Sequence, residues 1–511
     1  MPKAKTAKAK PKPPLALPTL AAALAAITEP KKLPSAIIPK DLPDLAGPAG
    51  PLGPEIKEGL LRAIIVGKVA SEPLASLVTK EITPESRDAF AVALLELWER
   101  KEFHGRMAWV QGGVTHLAGD RSILALASYM ASWPSQGDTG RKRAIGAVPA
   151  LVAAGTDTAL LALVALRQTA VVPSVLEAVI DGLAAAVEAR KTTLSELLDT
   201  ITPTLGLDAR GKRVFDYGQH RFTVAFDDFF EPRLYDDAGS HIEALPEAQA
   251  GDDAAHVEAA RAAWATLSAQ LREAVKVQTF RLEQDMVAGR RWNAEKWTRA
   301  LKEHPLLVSF TRRIVWGVYG EDGALLGAFR TAEDQSLVGK DDSEFRLPND
   351  ARIGIVHPLH LSEADRAAWA EHFADYEIIQ PFAQLGRPVH RVADDERSET
   401  RTTRYASNHF KSGVLRDVLV RKGWERDPAF LRTFYQRTFG SDRVVAIAHM
   451  DPGVQAGSAS YDVADQTISS IEFRAKVGRG KSREAMPLSE VPPVAFSEAV
   501  ADLADVLSEQ G

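Results

Sequence analysis

The chain contains no cysteine. Without a thiol there can be no disulfide staple, thiolate zinc site, iron–sulfur cluster or cysteine nucleophile. Aromatic residues are sparse at 7%, and neither sign of charge dominates, since 62 Lys and Arg stand against 68 Asp and Glu for a net −6. A mildly negative chain has no protein-wide nucleic-acid footprint, although a basic face can hide inside that sum. Long apolar runs are missing as well. Stretches such as Ala159 to Leu166 fall far short of the roughly 20 residues that cross a bilayer, so no membrane partner is expected. What is present is 511 residues, 45% apolar and 25% charged. That is an ordinary globular composition, long enough for two to four domains at roughly 100–200 residues each.

Three textures divide the chain. Residues 1–54 hold 12 of the 30 prolines, and Lys3, Lys5, Lys8, Lys10 and Lys12 alternate with small residues. Such a segment has little apolar surface to bury, so a disordered basic arm is expected, and trimming 1–50 should leave thermal stability almost unchanged. The arm followed by Leu15 to Ile27 imitates a secretory signal, but Pro18 interrupts the apolar run. The segment therefore reads as an Ala-rich first helix, and a cytoplasmic protein is expected. Five lysines on such an arm read as a solubilising tail rather than a phosphate or lipid contact.

Residues 55–204 read as helix after helix. Thr83-Pro84 is a start signal, because the hydroxyl can cap free amides and Pro at the first helical position loses no hydrogen bond. Phe90, Leu94, Leu97 and Trp98 then fall on one face. Starts near Arg141, Asp157 and Ser174 lie 16 and 17 residues apart. A helix pair recurring at about 35 residues is close to the period of helical solenoids, so a HEAT-like array is expected over a plain bundle.

Residues 205–511 are mixed, giving an α+β protein overall. Arg221 to Phe226 alternates like a strand, and Asp236 to Gly239 is a turn signal leading to a second strand that ends at Leu245-Pro246. A long helix is expected from Asp253 to Ala288. On it Gln278, Arg281 and Asp285 form a polar line beside the apolar stripe, able to lock another element by hydrogen bonds. Arg313 to Tyr319 and Leu325 to Arg330 flank Gly320-Glu321-Asp322-Gly323, a hairpin signal. Ala351 to Val356, Val444 to Ala448 and Thr467 to Phe473 supply further strands, and Ser362 caps a helix.

This second half carries a succession of phrases in order. They include Asp216-Tyr217-Gly218, Gln278-Thr279-Phe280-Arg281-Leu282-Glu283, Arg290-Arg291-Trp292, His304-Pro305-Leu306, Val315-Trp316-Gly317 and Val356-His357-Pro358-Leu359. Gln380-Pro381-Phe382-Ala383-Gln384-Leu385-Gly386-Arg387 and Phe496-Ser497-Glu498 follow. Over about 195–505 the chain resembles a bacterial family catalogued as domain of unknown function 4132, which includes proteins named molybdate metabolism regulator-like. The resemblance implies no reaction and no cofactor. Larger members often place helical repeats upstream, and some add a Trp-Gly-Arg domain linked to nucleic acids. Here Trp316-Gly317 continues with Val318, so that added domain is not expected.

Several residues invite a site. His357 and His360 are imidazoles of the kind that ligate zinc or iron, with Asp375 or Glu377 as a carboxylate source, but Pro358 keeps the pair off a regular helix and no third ligand has diagnostic spacing, so no metal is expected. The parallel phrase at His304 favours a structural turn. Ile378-Ile379 suits a strand, which Pro381 would end, leaving Gln380, Gln384 and Arg387 beside Asp375 and Tyr376 as a ligand clamp or a loop anchor. Because Phe382 and Leu385 look buried, the anchor is preferred. Arg290, Arg291 and Trp292 can contact an anion or complement a helix end. Glu283 and Asp285, two apart on a helix, do not make an acid–base pair. Gly478-Arg479-Gly480-Lys481-Ser482 lacks the upstream glycine of a phosphate-binding loop and reads as part of a basic exposed run.

The composite expectation is an interaction or recognition protein whose partner is a protein, with helical repeats presenting the surface. Two rivals follow from the same residues: an enzyme gathering His357, Asp375, Gln380, Gln384 and Arg387, and a nucleic-acid-associated regulator using Arg290, Arg291 and the 476–483 run.

Overall fold

Thr83 caps the helix Pro84–Arg100 as its chemistry dictates, its hydroxyl accepting from the Ser86 amide. The computed structural model describes residues 19–35, 37–170, 172–426, 432–433, 435–439, 444–451, 454–455, 465–477 and 481–510. The fold is α+β. The chain forms two compact units, residues 1–162 and 163–511. The boundary lies inside the helix Asp157–Thr169, well before the change of texture at residue 205.

In the first unit, every regular element described from residue 55 onward is helical. Helix Pro84–Arg100 buries Phe90, Leu94, Leu97 and Trp98, the face its spacing predicts. Asp88 is buried on the same helix and reaches out of it. Its carboxylate accepts from the Gly119 and Ser122 amides at 3.0 and 2.9 Å, so this helix caps the start of another, Asp120–Ser132. Trp98, Phe103, Tyr129 and Trp133 pack edge to face and stacked, with the Arg143 guanidinium 5.0 Å from the Phe103 centroid. Helix Gly137–Ala154 begins earlier than Arg141 because the turn Trp133–Gln136 runs directly into it.

The disordered arm expected up to residue 54 is corrected from residue 19 onward. Residues 1–18 lie outside the described residues. Thr19 caps a helix, Leu20–Ala25, and Leu20, Leu24, Ile37, Leu42 and Leu45 are buried. The Lys57 ammonium donates to the Leu42 carbonyl at 3.1 Å and to Asp44 at 2.6 Å. Prolines here set turns between buried leucines, which composition alone reads as disorder.

The second unit is built on the helix Ala254–Val287. Its first half covers a four-stranded antiparallel meander, Arg213–Asp216, Arg221–Phe226, Pro232–Tyr235 and His241–Ile242. Phe215, Tyr217, Phe222 and Val224 meet Val257, Leu267 and Leu271 there. The last strand is only two residues long and does not reach Leu245. The helix's second half packs into a larger core with two more sheets and the C-terminal helix Pro493–Gln510. One sheet runs Leu337–Val338, Leu325–Thr331, Trp316–Tyr319, Arg352–Ile355, Trp292–Asn293. The expected hairpin about Gly320 to Gly323 forms, with Trp316 opposite Phe329. The other sheet centres on Gln466–Val477 against Val444–Asp451. Ser362 caps Glu363–Asp375 by accepting from the Asp365 amide. Ile378-Ile379 is not a strand. The helix ends at Asp375, and Glu377 at φ 52° turns the chain back through a short loop.

Candidate functional site: a buried charge relay behind a cleft

The loop from Gln380 to Arg387 leaves helix Glu363–Asp375 and crosses the end of the five-stranded sheet. Gln384 is 1% exposed and fully used there. Its amide nitrogen donates to the carbonyls of Val315 and Val356, both at 2.8 Å, and its oxygen accepts from the Val315 amide at 2.9 Å and the Gln380 side chain at 2.8 Å. Gln380 in turn accepts from the Leu385 amide at 3.0 Å. A side-chain amide thus does for these chain ends what a neighbouring strand would do, and satisfies polar groups that burial would otherwise penalise.

Arg387, three residues on, points inward. Its Nε and one terminal nitrogen donate to both oxygens of Glu498 at 2.7 and 2.5 Å. The other terminal nitrogen donates to Glu283 at 2.6 Å and to the Ala383 carbonyl at 3.2 Å. Glu498, on the C-terminal helix, is completely buried. Burial alone would raise its carboxyl, but the Arg387 and His357 hydrogen bonds hold it well below the usual carboxylate range. His357 supplies Nε2 at 3.2 Å to Glu498, while its Nδ1 accepts from the Leu359 amide at 3.2 Å. The ring therefore carries its single proton on Nε2 and is neutral. His304 repeats the turn geometry: its Nδ1 accepts from the Leu306 amide at 3.2 Å, and its Nε2 faces the Thr202 carbonyl.

His360 stands beside His357 with Nδ1 2.9 Å from the Tyr319 hydroxyl. Burial first, then His357 and Arg291, lower its pKa to about 4. Burial pushes Tyr319 up to about 12. The Arg291 guanidinium carbon lies over the Tyr319 ring, 3.5 Å from its centroid. Asp375 is exposed at its helix end. Tyr376 is also exposed and donates to Asp342 at 3.0 Å. The structure thus joins His357, Gln380, Gln384 and Arg387 into one cluster with His360 alongside, and leaves Asp375 and Tyr376 outside it.

Arg290 and Trp292 belong to a second cluster. Asp199, on the helix Leu194–Ile201, accepts from Arg281, from Arg290 at 2.5 Å and from the Trp292 indole at 3.3 Å. Gln278 donates to Thr202 at 3.0 Å and accepts from Arg281 at 2.9 Å. Burial raises the pKa of Asp285 against the pull of Arg281 and Arg290. The polar line on the long helix does lock another element, and it is this short helix. Glu283 and Asp285 diverge as their spacing requires, one to Arg387 and the other to Arg290. In the basic run 476–483, residues 478–480 and the flanking side chains lie outside the described residues.

Glu283 is where the buried relay reaches open space. Its side chain is 20% exposed and lines a cleft of about 800 Å³ together with Phe280, Val414, Val420, Lys276 and Arg421. Sequence reasoning set Glu283 aside as half of an unsuitable pair and quoted Glu498 only within a phrase. A usable signal was present: Glu498 and Asp502 sit four apart on one helix face among Ala495, Phe496, Ala499, Val500 and Leu503, a position that demands buried cations. Both have one, since Arg437 and the Trp424 indole bind Asp502.

Residues 239–424 match the model of a family described as domain of unknown function (DUF4132). That span holds Glu283, His357, Gln384 and Arg387 but not Glu498. An Escherichia coli (strain K12) protein named uncharacterized protein YehI is 30% identical over 344 residues, covering 67% of this chain and 28% of the relative. The chain therefore spans little more than a quarter of that relative's length. No solved structure matches.

Proposed function

We propose that this is a bacterial, cytoplasmic recognition protein that holds its partner or ligand without transforming it. In this reading the helical unit is a HEAT-like array presenting a surface to a protein partner. The observation that carries the proposal is the saturation of the candidate residues. A reacting group needs an atom aimed at open space, whereas Gln384 is consumed by backbone and Gln380, Arg387 by Glu498, Glu283 and Ala383, and His357 by Glu498 and Leu359. An anchored frame behind an open cleft suits binding better than chemistry. Helix starts at Asp120, Gly137 and Asp157, 17 and 20 residues apart, support the array. Of the residues that a nucleic-acid-associated regulator would use, Arg290 is already held by Asp199 and Asp285, which favours the recognition reading. The test is a thermal melt of the full chain against a panel of small cations, anions and neutral solutes, with each stabilising compound recovered and weighed by mass spectrometry. Compounds that raise the melting temperature and return unaltered are expected. A stabilising compound returned as product would sink the recognition reading.

A further inference from the structure

The groups behind the cleft do not balance in charge. Glu283 and Glu498 contribute two negative charges, Arg387 one positive, and His357 none, because its Nδ1 accepts an amide hydrogen. The adjoining buried pair, Arg437 and Asp502, sums to zero. Among the described residues one negative charge is left over, and Glu283 is the member that reaches the cleft. Its Oε1 is taken by Arg387, while Oε2 has no hydrogen-bond partner among the described residues.

The cations already lining the cleft do not supply the missing charge. Arg421 is engaged by both oxygens of Glu509 at 2.8 and 2.6 Å. Lys276 lies seven residues before Glu283, about 10 Å along the helix axis. Phe280, three residues before Glu283, shares its face and offers an aromatic ring to a cation held there. Val414 and Val420 complete an apolar wall suited to a hydrocarbon stem. At about 800 Å³ the cleft falls in the roughly 300–1,000 Å³ range of small-molecule sites.

We infer that this cleft binds a small primary alkylammonium compound, its charged head on Glu283 and Phe280 and its stem against Val414 and Val420. A single free carboxylate oxygen suits a compact ammonium better than a guanidinium, which prefers both oxygens of a carboxylate. Lys276 at the far end disfavours a second cationic group, so a monoamine is preferred to a diamine. The inference rests on the recognition reading and gives it a ligand class.

Calorimetric titration of the full chain with n-butylamine tests it, with n-butanol and butyrate as the neutral and anionic analogues and a lysine-rich peptide as the macromolecular alternative. Butylammonium should bind while butanol and butyrate do not. Glu283→Gln should weaken binding at least about tenfold, the loss expected for a charge-assisted hydrogen bond. Val414→Trp should fill the cleft and abolish binding while leaving Arg387 and Glu498 untouched, and it decides the matter alone if Glu283→Gln fails to fold. No heat at millimolar butylamine, equal binding of butanol, unaltered binding by Val414→Trp, or binding of the peptide alone would each overturn the inference. Butylamine that binds and is recovered as a product would support the cation site and count against the recognition reading, so the two fail separately.

Discussion

Arg387 donates to two carboxylates, one of them with no exposure at all, and removing it strands Glu498 as an uncompensated charge. Arg387→Ala should therefore lower unfolding free energy by about 3–5 kcal/mol, the cost of breaking a buried pair from one side, measured by urea denaturation. A variant that melts like the parent would show that Glu498 finds solvent or another partner. His360 offers a test by pH. Its folded pKa, about 4, lies below the unfolded value of about 6.5, so the unfolded chain takes the proton first as pH falls. Its contribution is intact above pH ~6.5 and is lost progressively down to pH ~4, roughly 3 kcal/mol in all, with about 2 kcal/mol gone by pH 5. His360→Gln keeps an acceptor for Tyr319 and should flatten the fall in stability between pH 7 and pH 5 by that amount. A parent and variant with parallel pH profiles would remove His360 as the cause.

At the scale of elements, residues 19–50 carry buried leucines where an arm of little consequence for stability was expected. Helix Leu20–Ala25 buries Leu24 against Gly59 of helix Pro54–Ile65, where an added Cβ would lie 2.8 Å from the Leu24 Cβ. Leu24→Ala should cost about 2–5 kcal/mol, as other buried leucine truncations do, read from the denaturation midpoint. An unchanged midpoint would mean that the segment contributes little. The Thr83 cap, the hairpin about Gly320 and the placement of the polar line from Gln278 on one helix face were legible in the sequence, because each depends on neighbours within a few residues, whereas the partners of that line, Asp199 and Thr202, lie far off in the chain. The packed arm and the missing strand at Ile378-Ile379 were not. The arm depends on where distant leucines land. At Ile378 the backbone turns at Glu377 because the preceding helix docks through Trp369 and Phe373, and no local propensity records that.

For the whole molecule, the distinction that matters is between a change of texture and a boundary between units. The sequence changes character at 205, yet the second unit begins at residue 163, and Asp199 and Thr202 are tied within it to Arg281, Arg290 and Gln278, 76 to 91 positions away. A fragment starting at 205 loses those ties and leaves Arg281 buried without Asp199. It should be markedly less stable than a fragment starting at 163, and Asp199→Ala in the full chain should reproduce most of that loss, about 3–5 kcal/mol. Equal melting temperatures for the two fragments would contradict this division. The candidate site shows the same limit on reading from sequence: His357, Gln384 and Arg387 were nameable one by one, but the carboxylate that unites two of them lies more than 100 residues later.

The Gln384 clamp has a kinetic consequence. The Val315 amide hydrogen is bonded to a side chain and not to a neighbouring strand, so its exchange with deuterated solvent clocks the opening of the 380–387 loop rather than the melting of the sheet. Slow exchange at Val315 that becomes fast in Gln384→Ala, while the Val318 amide inside the sheet keeps its protection, would make that single hydrogen a direct timer for the loop.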